Sequence, residues 1–386
     1  MKKVLQISNY LFPHIGGVEQ VAKDIADSLA ESDEIEQKII CFNENAQVDD
    51  YVCRRSETVH DTLDGIEVIR CGCFTKVASQ SLSVSYASQL SRVIKDFKPD
   101  TIILHYPNPF TSAFLLRYMP NETRFILYWH LDITKQKVLG KLFHMQTLSL
   151  LKRADTIVAT SPNYMECSPY LSQFKEKCII IPNCIRPEKL KITAEISTRA
   201  EEIRNKYHDK TICFAVGRHV PYKGMSYLLK ASKYLDNNYA ILIGGKGELT
   251  ASLKEEAKGD EKVEFLGRVS NDDLVAYYMA CDIFCFPSIT KNEAFGIALA
   301  EGMYFEKPTV TFTIPGSGVN YVSIADKTGI ECPNGDSEEF AEAIKKLHSD
   351  SEVRFKYGKA AKERVVNNFM FEQFKETIKK LLLSMM

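Results

Sequence analysis

Residues 211–244 read TICFAVGRHVPYKGMSYLLKASKYLDNNYAILIG. The apolar run Thr211 to Val216 has the length of a buried strand, the loop GRHVPYKG follows it just before a helix, and a second apolar run begins at Tyr239. Strand, loop, helix and strand in that order make the repeating unit of a parallel sheet covered by helices. The alternation continues downstream through strand candidates at Val263 to Leu266, Asp282 to Phe286, Thr309 to Phe312 and Gly329 to Cys332. Upstream it runs through Val4 to Ser8, Gln37 to Phe42, Ile66 to Cys71, Thr101 to His105, Arg124 to Trp129, Thr156 to Thr160 and Cys178 to Ile181. Helix-length stretches such as Gln20 to Glu31 and Ser85 to Phe97 separate most of the early runs. The class is therefore α/β, with two similar units in tandem.

A chain of 386 residues exceeds one compact core and suits two domains. The turn-rich PNCIRPEKL places the boundary near Pro182 to Pro187. The expected domains are residues 1–184 and 185–368, with residues 369–386 docking back on the first. The closing helix, Phe371 to Leu383, carries Phe371, Phe374, Ile378, Leu381 and Leu382 at helical spacing, so it must bury that face.

Apolar residues at 45% and charged residues at 26% are the balance of an ordinary globular protein. With 49 basic against 50 acidic side chains, no global field draws the chain to nucleic acid. The opening MKKVLQISNYLF is strand-like and lacks a secretory core, and no apolar run reaches membrane-spanning length. A cytoplasmic location is expected, with the 11 cysteines reduced. Cys71, Cys73, Cys281 and Cys285 sit in strand-like runs without zinc-site spacing and read as core thiols, so no metal is expected.

Ligands of open parallel sheets bind beyond the carboxyl ends of the strands, so the loops there are where chemistry concentrates. GRHVPYKG places Arg218 and Lys223 on one such loop after Gly217, a fork and a point charge suited to a diphosphate. A solvated basic loop reads as well. After Asp282 to Phe286, PSITKNEAFGIALAEGM carries Glu293 ahead of a helix and Glu301 within it. Phe295 and Gly296 would open that helix, whose unpaired N–H groups favour a phosphate. Glu293 can accept from sugar hydroxyls and Glu301 from a ribose diol, although glutamates near a helix start are also plain dipole partners. Gly16 and Gly17 precede the first helix and allow close backbone approach, or simply a turn. Gly245 and Gly247 make a GxG without its third glycine, and His130 ends the run RFILYWH.

The run Glu293-Ala294-Phe295-Gly296-Ile297 with Glu301 resembles the E-x-F-G-(I/V/L)-x-x-x-E element of the retaining GT-B glycosyltransferases of family 4. GRHVPYKG is similar to that family's G-R-x-x-x-x-K-G loop, and VEFLGRVSNDDL, with Gly267 and Val269, to its donor-base segment. YWHLDITKQKVL, ADTIVATSPNY and IPGSGVNYV resemble bacterial O-antigen mannosyl- and rhamnosyltransferases. Leu131, Cys184, Gly302 and Glu306 depart from the usual serine, glycine, alanine and glycine.

The resemblance implies two Rossmann-like lobes facing a central cleft, with an acceptor lobe first and a donor lobe second. It implies that Arg218 and Lys223 hold the diphosphate, Glu293 the sugar hydroxyls and Glu301 the ribose. The backbones of Phe295, Gly296 and Ile297 would meet sugar and phosphates. Gly217, Gly245, Gly267 and Val269 would surround the nucleotide, Gly16 and Gly17 would approach the phosphates, and His130 would line the sugar. The expected reaction is retaining, metal-independent transfer of a hexose, mannose or a 6-deoxyhexose, with a GDP-sugar favoured over a UDP-sugar. The expected acceptor is a glycan or polyprenyl-diphosphate-linked sugar in bacterial surface polysaccharide synthesis, O-antigen or capsule.

No cofactor beyond the donor is required. Peripheral contact with the inner membrane would use Lys135, Lys137, Lys141, Lys152 and Arg153, which a solvated helix face explains equally. A sugar-nucleotide epimerase or a non-catalytic sugar-nucleotide binder are the rivals on this fold. A dehydrogenase is disfavoured by the missing glycine fingerprint at the first strand.

Overall fold

The computed structural model describes residues 1–14, 16–30, 32–44, 55–77, 80–133 and 137–383. They form two compact units: Met1–Thr160, Met165–Ile181 and Glu372 onward in one, Ser161–Tyr164 and Pro182–Phe371 in the other.

The first unit contains β1 (Lys2–Ile7), β2 (Ile35–Phe42), β3 (Val59–Leu63), β4 (Ile66–Cys71), β5 (Thr75–Val77), β6 (Gln80–Leu82), β7 (Thr101–Tyr106), β8 (Arg124–Trp129), β9 (Thr156–Ala159) and β10 (Cys178–Ile180). Its helices are α1 (Gly17–Ala30), α2 (Tyr86–Phe97), α3 (Pro109–Tyr118), α4 (Lys137–Arg153) and α5 (Pro162–Cys167), the last shared with the second unit. Eight strands pair in the order β10-β9-β8-β7-β1-β2-β4-β3. All neighbours are parallel except β3, which lies antiparallel on the edge. Every residue of β7, TIILHY, is buried, because helices cover both faces of a parallel sheet. α3 begins where Asn108 Oδ1 accepts from the Thr111 N–H at 3.1 Å, with Pro109 in the first turn.

The second unit contains β11 (Thr211–Val216), β12 (Tyr239–Gly244), β13 (Val263–Gly267), β14 (Ile283–Phe286), β15 (Thr309–Phe312) and β16 (Gly329–Cys332). Its helices are α6 (Ala194–Lys206), α7 (Met225–Ser232), α8 (Thr250–Glu256), α9 (Asn271–Ala280), α10 (Ile297–Tyr304), α11 (Val319–Val322), α12 (Ser337–Ser349) and α13 (Ser351–Asn368). The sheet order is β13-β12-β11-β14-β15-β16, parallel throughout. Chain order reverses between β11 and β14 here, as between β7 and β1 in the first unit. At such switch points the following loops diverge to opposite faces and leave room for a ligand.

Phe214, Tyr278 and Phe284 pack edge-on or tilted at 5.5–6.0 Å between centroids in the core of the second unit. Gly302 of α10 faces this cluster: a Cβ there would lie 2.6 Å from Phe284 Cγ, so the aromatic ring takes the room an alanine needs.

The last helix, α14 (Phe371–Leu383), buries Phe374, Ile378 and Leu382. Its final carbonyls are capped within the first unit: the Lys2 ammonium donates to Leu382 O at 3.0 Å and the Arg124 guanidinium to Leu381 O at 2.9 Å. Both cations also answer the negative end of the helix dipole. Among the described residues no helix is long and apolar enough to cross a membrane.

Candidate active site

In the second unit the site is built from loops that only glycine allows to touch. After β11 the chain passes Gly217, Arg218 and His219 and turns at Gly224, which is left-handed with φ 63°. A Cβ on Gly224 would sit 1.9 Å from the carbonyl oxygen of Pro287, in the loop after β14. The Ile289 N–H donates to Tyr222 O at 3.0 Å and ties the same two loops together.

This contact seats the Lys223 ammonium 2.5 Å from Glu293 Oε2, with only 13% and 11% of the two side chains exposed. Ser288 Oγ donates to the same oxygen at 3.2 Å, and the Phe286 ring lies 5.0 Å from the ammonium. A third loop closes on Glu293 from behind. Ser317 Oγ donates to Glu293 O at 2.6 Å, and a Cβ on Gly318 would fall 1.9 Å from Ala294 O. A pair this sheltered costs roughly 3–5 kcal/mol to break from one side, because the remaining charge is left buried.

α10 starts immediately downstream, at Ile297 rather than at Phe295. Gly296, left-handed at φ 93°, is its N-cap, and Phe295 is buried edge-on against Phe369 at 5.3 Å. The Ile297 end therefore carries the unpaired N–H groups of the first turn. One turn further, Glu301 Oε2 accepts from the Tyr278 hydroxyl at 2.9 Å. Burial pushes the Glu301 carboxyl up to about 7, against the opposing pull of the Tyr278 hydrogen bond and the Lys189 ammonium.

Gly217, Gly245 and Gly267 are brought together at the ends of β11, β12 and β13. Gly245 has φ 112°, a Cβ there would lie 1.9 Å from Gly217 O, and its N–H donates to Gly267 O at 2.6 Å. Val269 Cγ2 packs 3.0 Å from where a Cβ on the adjoining Gly244 would be. Arg218 is exposed and donates from Nη2 to the Tyr222 hydroxyl at 3.2 Å.

In the first unit, Gly17 is the first residue of α1 and would meet nothing with a Cβ, whereas a Cβ on Gly16 would lie 2.3 Å from Glu19 Oε2. The carboxylate of Glu19 thus fills the place of a side chain at residue 16. His130, just beyond β8, is buried, and its Nε2 lies 2.9 Å from His105 Nδ1. His105 Nε2 in turn lies 3.2 Å from Gln6 Oε1. Burial holds His105 down at about 3 and His130 well below the ordinary histidine value. Both rings are neutral at pH 7.

The family model for glycosyl transferases group 1 matches residues 197–364, and that for Glycosyltransferase Family 4 matches residues 15–189. The chain is 31% identical over 360 residues to the D-rhamnosyltransferase WbpZ of Pseudomonas aeruginosa, covering 92% of this chain and 88% of that protein. This chain belongs to the family 4 glycosyltransferases. The glycosyltransferase is also 28% identical over 370 residues to the O-antigen chain mannosyltransferase C of Escherichia coli, covering 95% and 94% of the two chains.

Its fold is the GT-B fold of solved relatives. Sucrose-phosphate synthase of Thermosynechococcus elongatus superposes with TM-score 0.79 at 18% identity over 100% of this chain and 99% of that one. Anabaena HepE, solved with UDP and glucose, gives TM-score 0.79 at 15% identity over the whole of both chains.

Sequence reasoning did not foresee that Lys223 and Glu293 would pair with each other, nor the parts of Tyr278, Ser288, Ser317, His105 and Gln6. The one available signal was IPGSGVNYV, whose Ser317 and Gly318 prove to be the backing of Glu293. Of the basic residues proposed for membrane contact, Lys135 and the side chains of Lys137 and Lys141 lie outside the described residues. Arg153 Nη2 is engaged at home, donating to Pro120 O at 3.2 Å and Asn121 O at 3.0 Å. Its Nη1 contacts Asp155 at 3.3 Å.

Proposed function

We propose that the enzyme is a retaining, metal-independent hexosyltransferase that takes mannose or a 6-deoxyhexose from a GDP-sugar. The acceptor is a glycan or polyprenyl-diphosphate-linked sugar of a bacterial surface polysaccharide, an O-antigen or capsule. The reading is supported chiefly by the sheltered Lys223–Glu293 pair at the head of α10, and by the mannosyl and rhamnosyl transfer named for the two relatives.

In this reading Arg218 and Lys223 hold the diphosphate, and Lys223 also fixes the Glu293 carboxylate that accepts from sugar hydroxyls. The Phe295, Gly296 and Ile297 backbone meets the phosphates, so charge on the departing oxygen is offset by preorganised donors. Glu301 takes the ribose; Gly217, Gly245, Gly267 and Val269 border the nucleotide. Residues 185–368 are the donor domain. Residues 1–184 are the acceptor domain, contributing Gly16 and Gly17 at the phosphates and His130 at the sugar.

As the bond from the anomeric carbon to the phosphate oxygen breaks, the nucleoside diphosphate leaves with the electron pair. The acceptor oxygen bonds to that carbon on the same face, and its proton passes to the departing phosphate. No protein nucleophile is needed. The reaction belongs in the cytoplasm, at the inner face of the membrane when the acceptor is lipid-linked.

A thermal-shift series with GDP, UDP and their sugars tests the donor, since ligand bound to the native state raises the melting temperature. GDP-mannose should shift it most. A larger shift with UDP-glucose would replace the base assignment, a possibility favoured by the UDP in the HepE structure. Product NMR with EDTA present should show the donor's anomeric configuration retained. Inversion, or dependence on added metal, would overturn the mechanism.

A further inference from the structure

Gln6, His105 and His130 stand on β1, on β7 and just past β8, three neighbouring strands of one sheet. They form a single buried line: Gln6 is 0% exposed, His105 1% and His130 5%. The two imidazoles are nearly coplanar, 12° apart. Neutral rings carry one proton each, and with the Gln6 amide oriented as it is this sets where the protons sit. An amide oxygen only accepts, so the proton of His105 is on Nε2, which faces Gln6 Oε1 at 3.2 Å. His105 Nδ1 is then an acceptor and must receive the Nε2 proton of His130 across 2.9 Å. That leaves His130 Nδ1 as a bare lone pair, and no described residue hydrogen-bonds to it.

We propose that Gln6 and His105 are positioning residues which hold His130 as the Nε2-protonated tautomer, so that Nδ1 presents a hydrogen-bond acceptor to a hydroxyl of the transferred sugar. This rests on the reading that His130 lines the sugar. The orientation of the Gln6 amide decides the direction of the whole line: a half turn would put its NH2 on His105 and reverse both protons. In the orientation present, the amide nitrogen is itself buried without a partner.

Nitrogen NMR of the full-length enzyme labelled in histidine, with His130 assigned by substitution, separates the two directions without any assay of transfer. The expected spectrum has His130 Nε2 protonated and Nδ1 bare; a proton on Nδ1 overturns the proposal. Gln6→Glu, which only accepts while ionised, should keep that tautomer at a pH where the carboxylate is charged, whereas Gln6→Leu and His105→Leu should let it mix. An unchanged tautomer in both leucine variants also overturns it.

In transfer assays His105→Leu should lower kcat about tenfold, the size of one lost hydrogen bond. His105→Asn, whose carbonyl falls near the position of Nδ1, should restore most of it. If instead His130→Ala transfers sugar at the wild-type rate, the sugar-lining role is lost, while the spectra still judge the line of protons on their own.

Discussion

The two units meet their expected halves of the chemistry with opposite materials. In the second unit, loops after β11 and β14 are pressed together at Gly224, and the result is a charged pair, Lys223 with Glu293. In the first unit, the corresponding strand ends carry Gln6, His105 and His130, all buried and all neutral. A site that must offset a departing diphosphate needs fixed charge, which survives burial only when paired. A site that must orient a sugar needs direction, which a neutral imidazole with an assigned proton supplies.

The strongest blow to that contrast would come at Lys223. Lys223→Met, which removes the charge and keeps the volume, should lower kcat roughly a hundredfold to a thousandfold. It should also cost about 3 kcal/mol in urea unfolding, because Glu293 is left buried alone. Arg218→Ala should reproduce the first effect on the order of a hundredfold, with little change in stability, since Arg218 is exposed. Near wild-type rates for both variants would remove the charged half of the comparison.

His130→Ala should cost less, about tenfold to a hundredfold in kcat for one directed hydrogen bond to a reacting sugar. A loss as large as that of Lys223→Met would mean that the first unit handles charge after all.

Glu301 sharpens the contrast from within the second unit. Its folded value near 7 lies above that of an unfolded glutamate, so between about pH 4 and pH 7 the native state binds the extra proton. Stability should therefore fall as pH rises through that window and level off above it. Glu301→Gln should abolish the slope and gain about 1–3 kcal/mol at pH 8, while weakening donor binding. Parallel slopes for variant and wild type in urea titrations at pH 5 and pH 8 would refute the assignment.

The mildest test concerns Glu306, a left-handed residue with φ 59° paired at 2.8 Å to Lys362. Left-handed backbone costs a non-glycine residue about 1 kcal/mol, and an exposed pair returns less than that. Glu306→Gly should thus raise the melting temperature slightly and leave transfer unaltered.

The same two units differ in how much of them could be read in advance. The strands β11, β15 and β16 are short runs bounded by turns whose limits agree with those expected from sequence, as do those of β4 and β8 in the first unit. β3, VHDTL, alternates with exposed polar residues on a sheet edge, and β5 and β6 are three residues each. None carries enough apolar pattern to announce itself.

At the candidate site, position after a strand drew attention to the loops of the second unit. Pairing across loops was not legible, because nothing in GRHVPYKG says that Gly224 will press on Pro287. In the first unit even less was available. Gln6 and His105 are 99 residues apart in sequence and His105 and His130 are 25 apart, so only the parallel register that aligns β1, β7 and β8 makes them neighbours.

The manner in which α14 is fastened has a consequence for engineering. The amino-terminal unit is sealed by residues translated long after its sheet, through Lys2 and Arg124 on the carbonyls of Leu382 and Leu381. Premature termination after residue 371 would therefore strip a distant apolar seam, exposing the partners of Phe374, Ile378 and Leu382, and the half of the molecule furthest along the gene from the lesion would be the one to aggregate.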